Sequence, residues 1–213
     1  MLIVLAGTIG AGKSSLAAAL GEHLGTEVFY EAVDNNPVLD LYYEDPKKYA
    51  FLLQIFFLNK RFKSIKEAYQ ADNNILDRSI FEDELFLTLN YKNGNVTETE
   101  LDIYKELLGN MLEELEGMPK KRPDLLVYID VSFEKMLERI EKRGRSFEQV
   151  DDNPGLEDYY QQVHGEYPDW YDNYDISPKM KINGDVLDFV QNEDDLKRVL
   201  AMVDEKLKEL DLL

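Results

Sequence analysis

The run Gly7-Thr8-Ile9-Gly10-Ala11-Gly12-Lys13-Ser14-Ser15 meets the spacing G-x-x-x-x-G-K-[ST] at every constrained position. Glycines spaced this way let backbone N–H groups come close to an anion, and a helix start behind them adds positive potential. In such a loop the lysine reaches the terminal phosphates of a nucleoside triphosphate, and the hydroxyl after it ligates Mg²⁺. Lys13 and Ser14 hold those two places. The flanks agree: Leu2-Ile3-Val4-Leu5-Ala6 is a short apolar run of the buried-strand kind, and Ser15 to Leu20 reads as a helix. The loop specifies a triphosphate and leaves open what receives the phosphate.

Further groups could complete phosphoryl chemistry. Ile75-Leu76-Asp77 is a strand-like run ending in an acid that could support Mg²⁺. Asp130 ends a strand-like run too and competes for that place, but Arg78 and Ser79 add phosphate-binding groups beside Asp77. Glu31 stands at the end of a second predicted strand, Thr26–Glu31. A neutral hydroxyl acceptor needs a carboxylate to orient it and take its proton. Position alone leaves Glu31 equally open to being a solvated strand-end acid. Arg139, Arg143 and Arg145 straddle Gly144 and could clamp a phosphate. With Glu138, Glu141 and Lys142 among them, a salt-bridged surface helix is the other reading. Of the aromatics Tyr42, Tyr43, Phe51, Phe56, Phe57, Phe62, Phe81 and Phe86, most are expected in the core, leaving one or two for a base pocket. His23 and His164 are isolated and read as ordinary helix residues.

These groups need a scaffold, and composition bounds it. The chain has 213 residues, 24 basic against 43 acidic, for a formal net charge of −19. That balance argues against nucleic-acid binding and makes the positions of the few cations informative. There is no cysteine, which excludes disulfides and thiolate metal sites. No signal peptide or membrane-spanning run is expected, so the default is a cytoplasmic protein. Further helices are predicted over 47 to about 70, from Arg78-Ser79 to about 90, 97–116, 133–142, 156–173 and 194–210. Further strands fall at 75–77, 125–130 and 180–183. Asp34-Asn35-Asn36-Pro37 and Lys120-Lys121-Arg122 read as loops. Alternating strands and helices mean an α/β fold, with a five-stranded parallel sheet covered on both faces. Its ligands bind beyond the carboxyl ends of the strands, near the glycine loop, Glu31 and Asp77-Arg78.

In order and spacing, these motifs resemble the deoxyribonucleoside kinase family over nearly the whole chain, and most nearly its bacterial deoxyadenosine/deoxyguanosine kinases. The residues that carry the resemblance are the glycine loop, Glu31 with Asp34 to Pro37, Tyr43-x-x-Pro46-Lys47-Lys48, Gln54 and Arg61. Asp77-Arg78-Ser79-Ile80-Phe81-Glu82-Asp83 and Glu138 to Arg145 complete the set. The resemblance implies a P-loop kinase fold with a short arginine-rich lid at about 139–150. It implies Glu31 as general base on a 5′-hydroxyl, Arg78 as the arginine holding it, and Tyr43 with Glu148 on the sugar 3′-hydroxyl. Gln54 would pair with the base, with Arg61 and Asp83 at the base's far edge. Arg139, Arg143 and Arg145 would be the lid arginines, and Ser14 and Asp77 the Mg²⁺ side. Asp77 replaces a glutamate of many animal members, and Phe147 stands where some of them carry an acid. A homodimer packed through helices is also implied.

The combined expectation is one domain, residues 1–213, that uses ATP and Mg²⁺ to phosphorylate deoxyadenosine and/or deoxyguanosine, with no nucleic-acid or membrane partner. A thymidylate-kinase-type nucleoside monophosphate kinase is the nearest alternative, but it would want more cations around the acceptor. A non-catalytic nucleotide-binding switch is the alternative of another class. The adenine of the donor is assigned to the loop Asp188-Phe189-Val190.

Overall fold

The computed structural model describes residues 1–33, 36–68, 73–116, 122–151 and 155–213. Asp34-Asn35 and Lys120-Lys121 of the expected loops, and the end of the long helix near Gln70, lie outside these residues. The described chain runs β1 (Leu2–Ala6), α1 (Lys13–Leu24), β2 (Glu27–Phe29), α2 (Leu39–Glu44), α3 (Pro46–Ala68), β3 (Asn74–Asp77), α4 (Asp83–Lys92) and α5 (Glu98–Glu116). It continues through β4 (Leu125–Asp130), α6 (Phe133–Arg143), α7 (Gly155–Asn173), β5 (Lys179–Asn183) and α8 (Glu193–Glu209). The five strands form one parallel sheet in the order β2-β3-β1-β4-β5.

Strand alternation divides the core into two layers. Leu2, Val4 and Ala6 of β1 join one cluster, in which Leu76, Leu126 and Tyr128 meet α2 to α5 and much of α7. Ile3 and Leu5 join the other, where Ile75, Val127 and Ile129 meet α1, α6 and α8. β1 is buried along its whole length, as its unbroken apolar run requires. The chain leaves β1 toward one neighbour and later returns to pair β4 on the other side. The carboxyl ends around β1 therefore form the crevice where α/β folds bind ligands.

Three boundaries differ from expectation, each for a local reason. β2 stops at Phe29, so Glu31 sits two residues beyond the strand. The helix expected from Arg78-Ser79 begins later. Arg78 has φ 86°, and Ser79 caps a 3-10 turn, Ile80–Glu82, in a capping box with Glu82. α2, only six residues long, was not expected at all. Its sequence, Leu-Asp-Leu-Tyr-Tyr-Glu, is too short to show a helical period.

Gly21 marks the tightest contact between α1 and the sheet edge. A Cβ there would lie 2.4 Å from Val28 Cγ2 and 3.3 Å from the Thr26 carbonyl oxygen. Gly21→Ala should therefore destabilise the protein by about 1–3 kcal/mol despite alanine's better helix propensity. Denaturant titration of Gly21→Ala, alone and with Val28→Ala, checks this, because the second change relieves the closer contact.

Candidate active site

The glycine loop joins β1 to α1 and is held in shape by its packing. Gly12 has φ 99°, and a Cβ there would lie 3.2 Å from Phe189 and Val190. Gly10 has φ 77°, with a Cβ position 2.9 Å from the Met136 carbonyl oxygen. Neither place accepts a side chain. The Lys13 ammonium donates to the carbonyls of Gly7 at 2.9 Å and Thr8 at 2.8 Å. Burial and nearby Arg78 lower its pKa to about 8, against the pull of Asp77, Glu31 and Glu82. Ser14 Oγ donates to Asp77 Oδ2 at 2.5 Å, while Asp77 Oδ1 is buried without a hydrogen-bond partner. Asp130 instead pairs with Lys181 at 3.3 Å and lies away from the crevice. Among the described residues, no group of three or more His, Asp or Glu side chains could hold a metal alone. A hydroxyl beside one carboxylate with an unused buried oxygen suits Mg²⁺, which takes few protein ligands and completes its shell with phosphates and water.

A cavity of about 540 Å³ runs from this loop toward α3 and α4. Seven cationic and four acidic side chains line it, a surplus of three positive charges in a chain of net −19. The cations are Lys13, Arg61, Arg78, Arg139, Lys142, Arg143 and Arg145, and the acids Glu31, Asp77, Asp83 and Glu148. The concentration of scarce cations at one place is the pattern of an anion site.

Glu31 lies at the centre. Arg61 NH2 approaches its Oε1 at 2.8 Å and Arg78 Nε approaches the same oxygen at 2.7 Å. Burial pushes the carboxyl upward, but Arg78, Arg61 and Lys13 outweigh it and hold its pKa at about 2. Burial likewise opposes the charge on Arg78, and Glu31, Tyr167 and Glu82 hold it firmly protonated. Arg61 also bonds Asp83 through NH1. Both arginines make their closest approach to Oε1, and no hydrogen bond to Oε2 occurs among the described residues.

Gln54 and Arg61 are both buried on the inner face of α3, two turns apart, as their spacing predicts. Gln54, Leu53, Phe57 and Phe86 line the same end of the cavity as Arg61 and Asp83. Of the aromatics considered from sequence, Tyr42, Tyr43, Phe57 and Phe86 line the cavity, whereas Phe51, Phe56, Phe62 and Phe81 do not. Tyr43 and Glu148 line its flank. Phe147, the departure from the family pattern, stacks on Tyr43 with centroids 5.4 Å apart and fixes that ring. Burial, with Tyr160 and Glu148 beside it, raises the Tyr43 pKa well above the usual phenol value.

The three lid arginines divide. Gly144 at φ 70° ends α6 and turns the chain, so Arg143 and Arg145 reach back to Glu148 at 2.5 and 3.6 Å. Arg139 instead donates to the carbonyls of Ala11 at 2.8 Å and Gly184 at 3.0 Å, bracing the glycine loop. Val190 and Gln191 line the donor end beside Gly12. His23 pairs with Asp204 and His164 bonds the Val131 carbonyl, both outside the cavity. Sequence reasoning gave no site role to Tyr30, Tyr159 and Lys142 of the lining. It also gave no separate part to Glu82, whose buried position within Asp77–Asp83 was the one available signal.

The deoxynucleoside kinase family model matches residues 3–208. The chain belongs to the deoxynucleoside kinase family. It is 59% identical over 209 residues to a deoxyguanosine kinase of Lactobacillus johnsonii, covering 98% of this chain and 93% of that one. It is 54% identical over 209 residues to a deoxyadenosine kinase of Lactobacillus acidophilus, covering 98% and 97%. A deoxyadenosine kinase structure from M. mycoides with bound dATP superposes with TM-score 0.79 at 32% identity, covering 96% of this chain and 100% of that chain. The protein is accordingly a kinase acting on nucleosides, and the cavity is its candidate active site.

The charge set at Glu31 has a consequence for stability. Its folded pKa, about 2, lies below the ordinary 4.5, so ionised Glu31 stabilises the fold above pH 4.5 and that contribution is lost as pH falls through about 2. The depression corresponds to about 3–4 kcal/mol. Comparing the pH dependence of unfolding for the wild type and Glu31→Gln between pH 5 and 2 tests this, with the wild type expected to lose its stability more steeply.

Proposed function

We propose that the protein transfers the γ-phosphate of ATP to the 5′-hydroxyl of a purine deoxynucleoside, deoxyadenosine and/or deoxyguanosine. The observation that carries this reading is Glu31. It lines the cavity together with the lysine loop and with Gln54, Phe57 and Phe86 of α3 and α4, one oxygen under two arginines and the other accepting no hydrogen bond among the described residues. Arg61 and Arg78, the arginines on the acceptor side, are each bound to carboxylates. An acceptor bearing its own phosphate would have to displace those carboxylates, so a neutral hydroxyl fits better than a nucleoside monophosphate. The names of the Lactobacillus relatives support a purine deoxynucleoside.

The roles follow from placement. Glu31 Oε2 orients the hydroxyl. A carboxylate this weakly basic accepts the proton only as the attacking oxygen becomes acidic during bond formation, so positioning and charge contribute most. Lys13, with the backbone of Gly7, Thr8, Ile9, Gly10, Ala11, Gly12, Ser14 and Ser15, holds the phosphates. Arg143 and Arg145 offset charge on the transferring group, and Arg139 does so while bracing the loop. Ser14 and Asp77 would hold Mg²⁺, which would supply charge neutralisation at the triphosphate. Tyr43 and Glu148 take the 3′-hydroxyl. Gln54 pairs with the base through its adjacent donor and acceptor, and Arg61 with Asp83 reads the far edge. Val190 and Gln191 flank the donor base. Residues 1–213 act as one domain with a lid at about 139–150. A homodimer would draw on α3 and α5, where Leu52 and Ile103 are half exposed. A cytoplasmic site of action suits a chain with no cysteine to oxidise. Among the described residues no helix is long and apolar enough to cross a membrane.

An assay of ADP release with ATP and each of the four natural deoxynucleosides, and with deoxyadenosine monophosphate, tests the assignment. Turnover with deoxyadenosine or deoxyguanosine is expected, and a marked preference for the monophosphate would overturn it. Glu31→Gln should lower kcat by about 10²–10⁴-fold with folding intact. Lys13 titrates near 8 in the free protein, so kcat/KM for ATP should fall as pH rises through about 8, and bound phosphates should move the fall in kcat to higher pH.

A further inference from the structure

Glu82 has no part in the chemistry above, yet it is completely buried and bonded through both oxygens. Its Oε1 accepts from the Gly7 N–H at 3.2 Å and the Tyr167 hydroxyl at 2.7 Å, and lies 3.3 Å from Arg78 NH1. Its Oε2 accepts from the Ser79 N–H at 2.8 Å. These donors come from three separate pieces of chain: the start of the glycine loop, the turn that carries Arg78, and α7. A buried carboxylate is costly unless its oxygens are satisfied, and a side chain present only for packing would be apolar. Arg78 adds a second reason. At φ 86° it occupies a backbone conformation that residues with a Cβ avoid. The Ser79 N–H bond to Glu82 fixes the peptide just after it, and Arg78 NH1 also donates to the Tyr167 hydroxyl at 2.9 Å.

We propose that Glu82, supported by Tyr167, is a positioning residue that sets the register between the donor loop at Gly7 and the acceptor-side Arg78. The inference rests on the kinase reading above. Arg78 in turn holds Glu31 at 2.7 Å, so one buried carboxylate ties the phosphate cradle to the group that orients the attacking hydroxyl. Nothing in this arrangement needs Glu82 to touch either substrate. Its effect should therefore fall on the transition state, where the distance between phosphate and hydroxyl matters most.

The test is steady-state kinetics of Glu82→Gln and Tyr167→Phe beside the wild type, with thermal unfolding of each. Glutamine keeps the shape but replaces one acceptor oxygen with a donor facing other donors. Phenylalanine removes only the hydroxyl. For Glu82→Gln, kcat should fall by about 10- to 100-fold, with KM for ATP and for deoxynucleoside within about 3-fold of wild type. For Tyr167→Phe, the same pattern should appear with a fall of about 3- to 10-fold. If Glu82→Gln does not fold, Tyr167→Phe decides. A folded variant with unchanged kcat, or with its loss confined to KM, overturns this inference alone. A wild type without deoxynucleoside turnover overturns the kinase reading and this inference together.

Discussion

Two guanidinium groups converge on one oxygen of Glu31, and the rest of the site is arranged to make that possible. Each arginine is buried, so each must be matched by carboxylate. Arg61 has Asp83 at its other side, and Arg78 has Glu82. Those partners come from the same segment, Asp77 to Asp83, which also supplies the acid beside Ser14. The segment in turn hangs from β3, whose neighbour β1 leads into the glycine loop. A charge balance at one carboxylate thus constrains the path of the chain across the two central strands. It also bears on how a chain of net −19 can keep a phosphate site: Glu31, Asp83 and Glu148 of the cavity are matched by arginines and Asp77 by Ser14, which leaves a surplus of cations along the lining.

Much of this was legible before any coordinates, and the reason is locality. The glycine loop does its work through backbone conformation and two adjacent side chains, all encoded within nine residues. Buried strands such as Leu125–Asp130 announce themselves by unbroken apolar runs. Gln54 and Arg61 could be placed on one face by counting turns. What stayed hidden depends on residues distant in sequence. Asp77 and Asp130 both end strands; Arg78 and Ser79 favour Asp77 in the sequence, but its contact with Ser14 is visible only in the fold. The left-handed turn at Arg78 is imposed by surroundings, since nothing in its own side chain favours it. Arg139 looks like Arg143 and Arg145 in sequence, yet it bonds the carbonyls of Ala11 and Gly184 and lies 3.5 Å from Asp188. The bonds from Tyr167 to Glu82 and Arg78 cross 85 and 89 residues and have no local mark.

The family comparison and the geometry support each other at different levels. Membership identifies the reaction class, and the described contacts explain why this chain can perform it. Phe147 illustrates the difference. Against the family pattern it is a departure; against Tyr43 it is a stacked ring that holds a cavity-lining tyrosine in place. Similarity alone would not have supplied that reason.

The strand order also bears on how the protein is made. β1 is made well before either of its neighbours, for Ile3 pairs with Ile75 on one side and Leu125 on the other. At about 5–20 residues per second, its second neighbour follows some 6–25 s later. Throughout that interval a fully apolar strand, already joined to the glycine loop, lacks one of its two neighbours. Parallel sheets built on such distant pairings form slowly and expose sticky edges while they wait. The nucleotide site thus rests on a strand that is flanked on both sides only once β4 is made. Its yield in a cell is therefore tied to whatever shields that nascent segment.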